Sequence, residues 1–517
     1  MLDQLFQSLP SPGVSVLLLV VAYYIISTVR LLNENRKIRS FGARAPIRPT
    51  YLPFGLDFVY EAVKYARENR NLAFWEKSFS RGPEDHNYTL EFRTTGQRII
   101  FTADPENIKA ILATQFADYG KGEQFNKDWH DFLGDSIFTT DGERWHNSRQ
   151  LIRPQFIRDR LSDLDIFERH FQELAPKLGG RGQTVDVADL FFRYTLDAAT
   201  DFLLGRSVNS LVDPQVRFAK AFGEVQRFQS LVSRIGPLHH LLPRGKFREG
   251  LKVINEFVNP YIDEALRLSP EELEKRSKSD QGYTFLHALA GYTRDRTVLR
   301  DQLVAVLLAG RDTTACTLSW IFHHLSLNPR IVQKLRQEIS AHCGTAPPTY
   351  AALKNMRYLQ HTLNETLRLY PVVPFNVRVA LHDSTLPVGG GPTGSSPIGI
   401  LAGTPIGYST LLLQRRGDLY PPPSATFPPI LEFAPERWEH WTPKSWTYVP
   451  FNGGPRICIG QQFALTEMGY VVVRILQRFA GVESREEGRE LAMQTDIVLQ
   501  PAGGVKVAFW EDGREKA

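Results

Sequence analysis

A ten-residue segment near the carboxyl end limits most sharply what this chain can become. Phe451 to Gly460 reads FNGGPRICIG and runs straight into an apolar, helix-forming stretch that begins at Gln461. Phe451, Gly454, Arg456, Cys458 and Gly460 give the pattern F-x-x-G-x-R-x-C-x-G, five specified positions within ten residues. A thiolate that ligates a haem iron needs a segment of this kind. Its loop must offer backbone amides to the sulfur, and glycines allow both the turn and a close approach of backbone to porphyrin. Arg456 supplies a fork suited to a haem propionate. Gly460 lets the next helix lie beneath the ring, and the amino end of that helix favours a negative sulfur. The plain alternative, Cys458 as one more buried thiol, leaves the other four positions unexplained.

Cys458 has only two companions, Cys316 and Cys343, and no two of the three lie within chelating distance along the chain. A disulfide framework and a cysteine zinc knuckle are both excluded, which suits a reducing compartment. The 517 residues are 42% hydrophobic and 23% charged, globular proportions that exclude a disordered or wholly membrane-embedded chain. Length alone allows about three domains or one large α-rich domain. Lys+Arg 61 against Asp+Glu 56 leaves +5, with no long basic tract, so no nucleic-acid partner is expected.

The amino end sets a second constraint. No charge occurs from Gln4 to Val29, and Val14 to Val29 is apolar, with Leu9 to Gly13 extending it. About 20 residues of helix cross a bilayer, so one N-terminal transmembrane helix is expected. Arg30, Arg36, Lys37, Arg39, Arg44 and Arg48 follow it, which places the body on the cytosolic side. Residues 1–45 read as anchor and basic flank, and 46–517 as the catalytic domain. Pro46, Pro49 and Pro53 form a stiff hinge between the two.

Apolar residues recur at helical spacing over about 59–80, 104–116, 142–176, 186–205, 212–230, 247–277, 297–343 and 349–369. Short strands are expected at Tyr88–Arg93, Arg98–Thr102, Asn376–Ala380, Pro405–Leu411 and Val505–Trp510. The fold class is therefore mainly α with small β-sheets. Gly389, Gly391 and Gly394 match a dinucleotide-binding pattern, but Pro392 and Pro397 interrupt any helix after them, so a hairpin loop is expected there. With no other phosphate-cradling loop, reducing equivalents must come from another protein.

Two further segments carry chemistry. Asp301 to Leu325 reads as one helix containing LLAGRDTTA, where Gly310 costs about 1 kcal/mol relative to alanine and invites a local bulge. Above a haem, such an opening would hold dioxygen, with Thr313 as hydrogen-bonding alcohol and Asp312 as proton relay. Glu365 and Arg368 share one helix face in LNETLRLYP, and Arg437 in FAPERW offers a third charge for a buried Glu-Arg-Arg network. Trp145 and Arg149, one helical turn apart, and Arg378 after a proline-rich turn are candidate propionate partners beside Arg456.

On these motifs, taken in their order, nearly everything after residue 45 resembles a cytochrome P450, the haem-thiolate monooxygenase family. LLAGRDTTA, PFNVRVA, LPVGGGPTGSSPIG and CIGQQFALTEMGYVVVRILQRF are most similar to the fungal microsomal alkane and fatty-acid hydroxylase branch. The resemblance implies a haem b with iron on Cys458, NADPH electrons delivered through a cytochrome P450 reductase, dioxygen and a lipophilic substrate, and residence in the endoplasmic reticulum membrane. It implies a pocket lined by Phe116 to Asp135, Val304 to Leu308, Val372 to Phe375 and Val498 to Pro501, mostly apolar. Arg149, Arg153, Arg158 and Arg160 are a candidate docking patch for an acidic flavin domain. Hydrophobic residues between 231 and 247 are equally suited to the membrane or to the core. Hydroxylation of an alkane or fatty-acyl chain is the leading expectation. Tailoring of a fungal polyketide or terpenoid is the second, and a haem-binding lipid carrier or sensor the non-enzyme alternative, which the Asp312-Thr313 pair disfavours.

Overall fold

The computed structural model describes residues 12–80, 88–156, 164–214, 216–279, 283–424, 427–488 and 491–511. Helices form most of the body around the 32-residue helix Arg296–Leu327, whose residues are buried for most of its length. Asp295 starts this helix by accepting from the amides of Thr297 and Val298 at 2.8 and 3.2 Å. Against it lie Val187–Leu204, almost wholly buried, and Gln461–Arg478, the helix that follows the cysteine loop.

Proline and glycine chemistry divides several of the expected helices. The stretch expected over 297–343 ends at Leu327, because Pro329 removes an amide donor and pushes Asn328 out of helical geometry, to φ −129° and ψ 74°. Leu56–Arg67 and Asn71–Phe79 replace one helix over 59–80, with Asn69 at φ +55° between them. Gly142–Ile152 and Asp165–Leu174 replace one over 142–176, where Arg153–Phe156 tightens into a 3-10 turn at Pro154.

All five expected strands form. The largest sheet has the order Thr89–Thr94, Gln97–Thr102, Pro405–Ser409, Phe375–Ala380, Tyr119–Gly120, antiparallel except for the parallel pairing of Ile100 with Ile406. The strand at 405 stops at Ser409 instead of Leu411, because the Ser409 hydroxyl caps a short helix at the Leu412 amide, 3.1 Å away. Lys506–Trp510 pairs between Arg181–Asp186 and Gly481–Ser484. The glycine-rich segment is a hairpin of Ser384–Gly390 and Ser396–Ile400 with no helix after it, as its prolines require.

Pro12–Phe41 is a helix whose two ends differ. Val14, Leu18, Val21, Ile25, Ile26 and Val29 are exposed, whereas Ile38 is fully buried and its carbonyl leaves no room for a side chain at Gly399 in the hairpin. Among the described residues no helix is long and apolar enough to cross a membrane. The proline segment that follows is pinned along the sheet edge: Arg48 donates its amide to the Glu91 carbonyl, and the Glu91 amide donates to Pro46, each at 2.8 Å.

Candidate active site

The cysteine loop closes on itself before it meets the helix. The Cys458 amide donates to the Phe451 carbonyl at 2.9 Å, and the Ile457 amide to Gly454 at 3.1 Å. Gly454 sits at φ +63°, and a Cβ there would lie 1.9 Å from the Leu112 carbonyl oxygen, so only glycine lets the loop lie against Ala110–Thr114. Gly460 precedes Gln461–Arg478 as its N-cap. A Cβ at 460 would meet nothing nearer than Phe156 at 3.7 Å, so protein contacts alone do not demand glycine there.

Burial raises the Cys458 thiol pKa above its ordinary value, while the Gly460 amide and the Arg149 charge pull it down without prevailing. The residue is nonetheless open on one side, whereas Cys316 is fully buried and Cys343 donates to its own helix at Ile339. A thiol so placed ionises when a metal takes its sulfur. Arg149 stands beside this loop, donating to the Ile457 carbonyl at 3.0 Å, so its charge acts on the sulfur. Arg153 is exposed on the same segment, and Arg158 and Arg160 lie outside the described residues.

On another side of the loop, cations outnumber anions. Arg456 reaches the Thr140 carbonyl at 2.8 Å and Asp141 at 2.5 Å, lies 4.6 Å from the centre of the buried Trp145 ring, and leaves its Nε without a partner. Burial first, and then the charge of Arg378, lower its pKa to about 10. Lys121 is also depressed, by burial and by both Arg378 and Arg456, with Asp141 alone opposing. Three cations thus converge with one carboxylate, an arrangement that wants two more negative charges. Lys121 and Asp141 escape a reading of the sequence, because neither belongs to a motif and only the fold brings them to Arg378 and Arg456.

The long helix runs unbroken through Gly310, contrary to the expected bulge. Its backbone is held from outside by the Thr195 hydroxyl, which donates to the Arg311 carbonyl at 2.7 Å. Val306, Ala309, Gly310 and Thr313 are half-buried and share one face at helical spacing, while Leu308 and Arg311 are half-buried on the opposite side. The Thr313 hydroxyl donates to the Ala309 carbonyl at 2.7 Å and keeps its lone pairs on that face. Asp312 is buried, with Oδ1 3.2 Å from Arg311 and Oδ2 accepting from the Gln226 amide.

Apolar segments gather next to this helix. Val372 and Val498 cluster on Cys316 with Phe192 and Val373 alongside, and the Leu499 amide donates to the Val372 carbonyl at 2.9 Å. Phe116, Trp129 and Phe132 join the cluster that holds Val304, Leu307 and Leu308. The buried network is also assembled. Glu365 accepts from Arg368 Nε and Nη2 at 2.7 and 2.9 Å, from Arg437 Nε at 3.2 Å, from Trp438 at 3.0 Å and from the Ala434 amide at 3.1 Å. One acid that sequence reasoning missed is Glu467, on the helix after the cysteine. Burial pushes its pKa up to about 8 against the opposing Thr314 hydroxyl, so it carries a proton at neutral pH.

A one-sided cysteine loop, a cation cluster short of two anions and a half-open helix face define a haem-thiolate oxidoreductase. Comparison with known proteins agrees. The family profile described as Cytochrome P450 matches residues 70–509. The cytochrome P450 monooxygenase pvhE of Talaromyces variabilis is 50% identical over 97% of this chain and 96% of its own. Cytochrome P450 52A13 of Debaryomyces hansenii is 41% identical over 84% of this chain and 85% of its own, and cytochrome P450 52A1 of Candida tropicalis 44% over 76% and 75%. The chain belongs to the cytochrome P450 family and is a monooxygenase. Members of the family use a haem iron on a cysteine thiolate, with NADPH electrons supplied by a reductase. The donor set fits that group: a thiol that a metal would ionise, and three cations awaiting two carboxylates.

Proposed function

We propose that this protein hydroxylates an aliphatic chain, an alkane or a fatty acid, and the observation that carries the reading is the apolar cluster of Val372, Val373 and Val498 packed on the long helix at Cys316, one turn beyond Thr313. With Val306 on the half-open face, these side chains offer no charge to a substrate there. Burial of methylene groups on such a surface contributes about 0.8 kcal/mol each, so affinity grows with chain length until the space is filled. The likeness of its sequence motifs to the alkane and fatty-acid hydroxylase branch supports the same class.

Cys458 is the iron ligand in this reading. Arg378, Arg456 and Lys121 neutralise the haem propionates, Trp145 supports Arg456 with its ring face, and Arg149 stabilises the negative sulfur. When bound, the haem supplies activation of dioxygen and insertion of one oxygen atom into a C–H bond. Thr313 gives its hydroxyl proton to the Ala309 carbonyl, so its Oγ1 would accept a hydrogen bond on the half-open face. Asp312 is the proton relay, and Gln226 and Arg311 fix the direction of its carboxylate. Phe451, Gly454 and Gly460 shape the loop, and Glu365, Arg368 and Arg437 brace it from behind.

Turnover with a P450 reductase, NADPH, and dodecane or lauric acid tests this assignment. The wild type forms hydroxylated chains, and Thr313→Ala keeps its haem and its NADPH consumption while product per NADPH falls about tenfold or more, as loss of a positioned hydroxyl in proton delivery requires. Absence of product from either chain, with turnover of a polyketide or terpenoid, would move the assignment to metabolite tailoring. Unaltered coupling in Thr313→Ala would remove the threonine from proton delivery.

The exposed apolar residues of Pro12–Phe41 support a single-pass anchor in the endoplasmic reticulum membrane with the body in the cytosol. Ile38 is buried, and Arg44 pairs with Glu91. Deletion of residues 2–29 spares these contacts and should move the protein from the membrane pellet toward the soluble fraction. An unchanged pellet fraction would deny the helix an anchoring role.

A further inference from the structure

Away from the haem site, the helices Asp165–Leu174 and Val187–Leu204 face one another with an unusual set of side chains between them. His170 is almost wholly buried, and its Nε2 lies 3.0 Å from Asp201 Oδ2. Asp201 also accepts from Arg169 at 2.5 Å. A carboxylate at Nε2 puts the ring proton there and leaves Nδ1 as a lone pair. Nδ1 lies 3.6 Å from Glu173 Oε2, and neither atom has a hydrogen-bond partner among the described residues. Asp197, fully buried, completes the group: one ligand atom from each of His170, Glu173 and Asp197 lies within 4.8 Å of the others. Asp197 already accepts from the Ser210 amide at 2.7 Å, the Ser210 hydroxyl at 2.8 Å and the Leu211 amide at 2.8 Å, which fixes its carboxylate and leaves it a lone pair to offer.

Two acceptors held face to face in the interior repel one another unless something positive lies between them. Glu173, Asp197 and Asp201 bring three negative charges and Arg169 one positive, a balance of −2. A proton on His170 would leave −1, whereas a dication closes the balance. We propose that His170 Nδ1, Glu173 Oε2 and Asp197 bind a divalent cation, and that the cation is zinc. One imidazole and two carboxylates are ordinary zinc ligands. Tetrahedral zinc at about 2.1 Å from each ligand atom puts neighbouring ligand atoms about 3.4 Å apart, close to the His170–Glu173 separation. Asp201 stands where a metal-bound histidine usually keeps its orienting carboxylate. Glu173 retains 35% of its side-chain exposure, which gives a path for the ion and room for a water as fourth ligand. The site ties the two helices together and has no part in the oxygen chemistry.

The test uses the full-length, haem-loaded protein, stripped with a chelator and then titrated with zinc against a chromophoric competitor. Bound zinc is counted by elemental analysis relative to haem iron. The wild type should take up one zinc per haem and gain in thermal midpoint. Glu173→Gln, a change at a partly exposed carboxylate that leaves the fold least disturbed, should weaken zinc by at least about tenfold, as should His170→Asn. Asp201→Asn should weaken it by about ten- to a hundredfold through loss of ring orientation. The carbon-monoxide difference band should be the same in all four proteins. A wild type that takes up no stoichiometric zinc overturns the proposal, as does zinc uptake that Glu173→Gln leaves unchanged.

Discussion

Glu365→Gln should cost the protein about 3–5 kcal/mol of stability, the expected loss when one partner of a buried ion pair is neutralised. Glu365, Arg368 and Arg437 are all fully buried, so no water replaces a lost contact. Burial lowers the Arg368 pKa, and the Glu365 carboxylate outweighs it, so this guanidinium stays above its ordinary pKa. Arg437 is less well served, because burial and the neighbouring Arg368 lower it and outweigh the support of Glu365 and Tyr420. An amide at 365 leaves two buried cations facing a neutral group, and one carboxylate lone-pair set now takes five donors that an amide oxygen cannot. Folded domains are stable by only about 5–15 kcal/mol, so the variant should yield less haem-loaded protein and lose haem at a lower temperature. A melting profile identical to that of the wild type would show that the network is dispensable.

Cys458→Ala should remove thiolate-ligated haem altogether. Cys316 is fully buried inside the long helix and Cys343 is bonded within its own helix, so neither can substitute. The fold should survive, because the loop is closed by the Cys458 amide and by Gly454, neither of which needs the sulfur. Circular dichroism should therefore match the wild type while the carbon-monoxide difference band disappears. A normal band in this variant would end the assignment of the ligand.

How much of this could be read in the sequence depends on whether a feature is local. The cysteine loop, Asp312-Thr313, Glu365-Arg368 and the PERW turn are short-range patterns legible in the chain, and the structure assembles the Glu365, Arg368 and Arg437 network from two of them. Gly310 was legible as a weak point, but its cost of about 1 kcal/mol is small beside tertiary contacts such as the Thr195 hydroxyl on the Arg311 carbonyl, and the helix continues through it. Glu123–Leu133 was missed as a helix although Phe125, Trp129, Phe132 and Leu133 keep helical spacing, because charged residues dilute the signal. Lys121, Asp141 and the His170 cluster could not be found from neighbours in the chain. Lys121 meets Arg378 across about half of the sequence, and a partnership at that range is written in topology.

The account rests on iron bound through sulfur at Cys458, and the reduced carbon-monoxide difference spectrum of the purified, haem-supplied wild type tests that bond most directly. It predicts the long-wavelength Soret band of a thiolate-ligated haem at one haem per chain. A colourless protein, or a band at the position given by imidazole ligation, would contradict it.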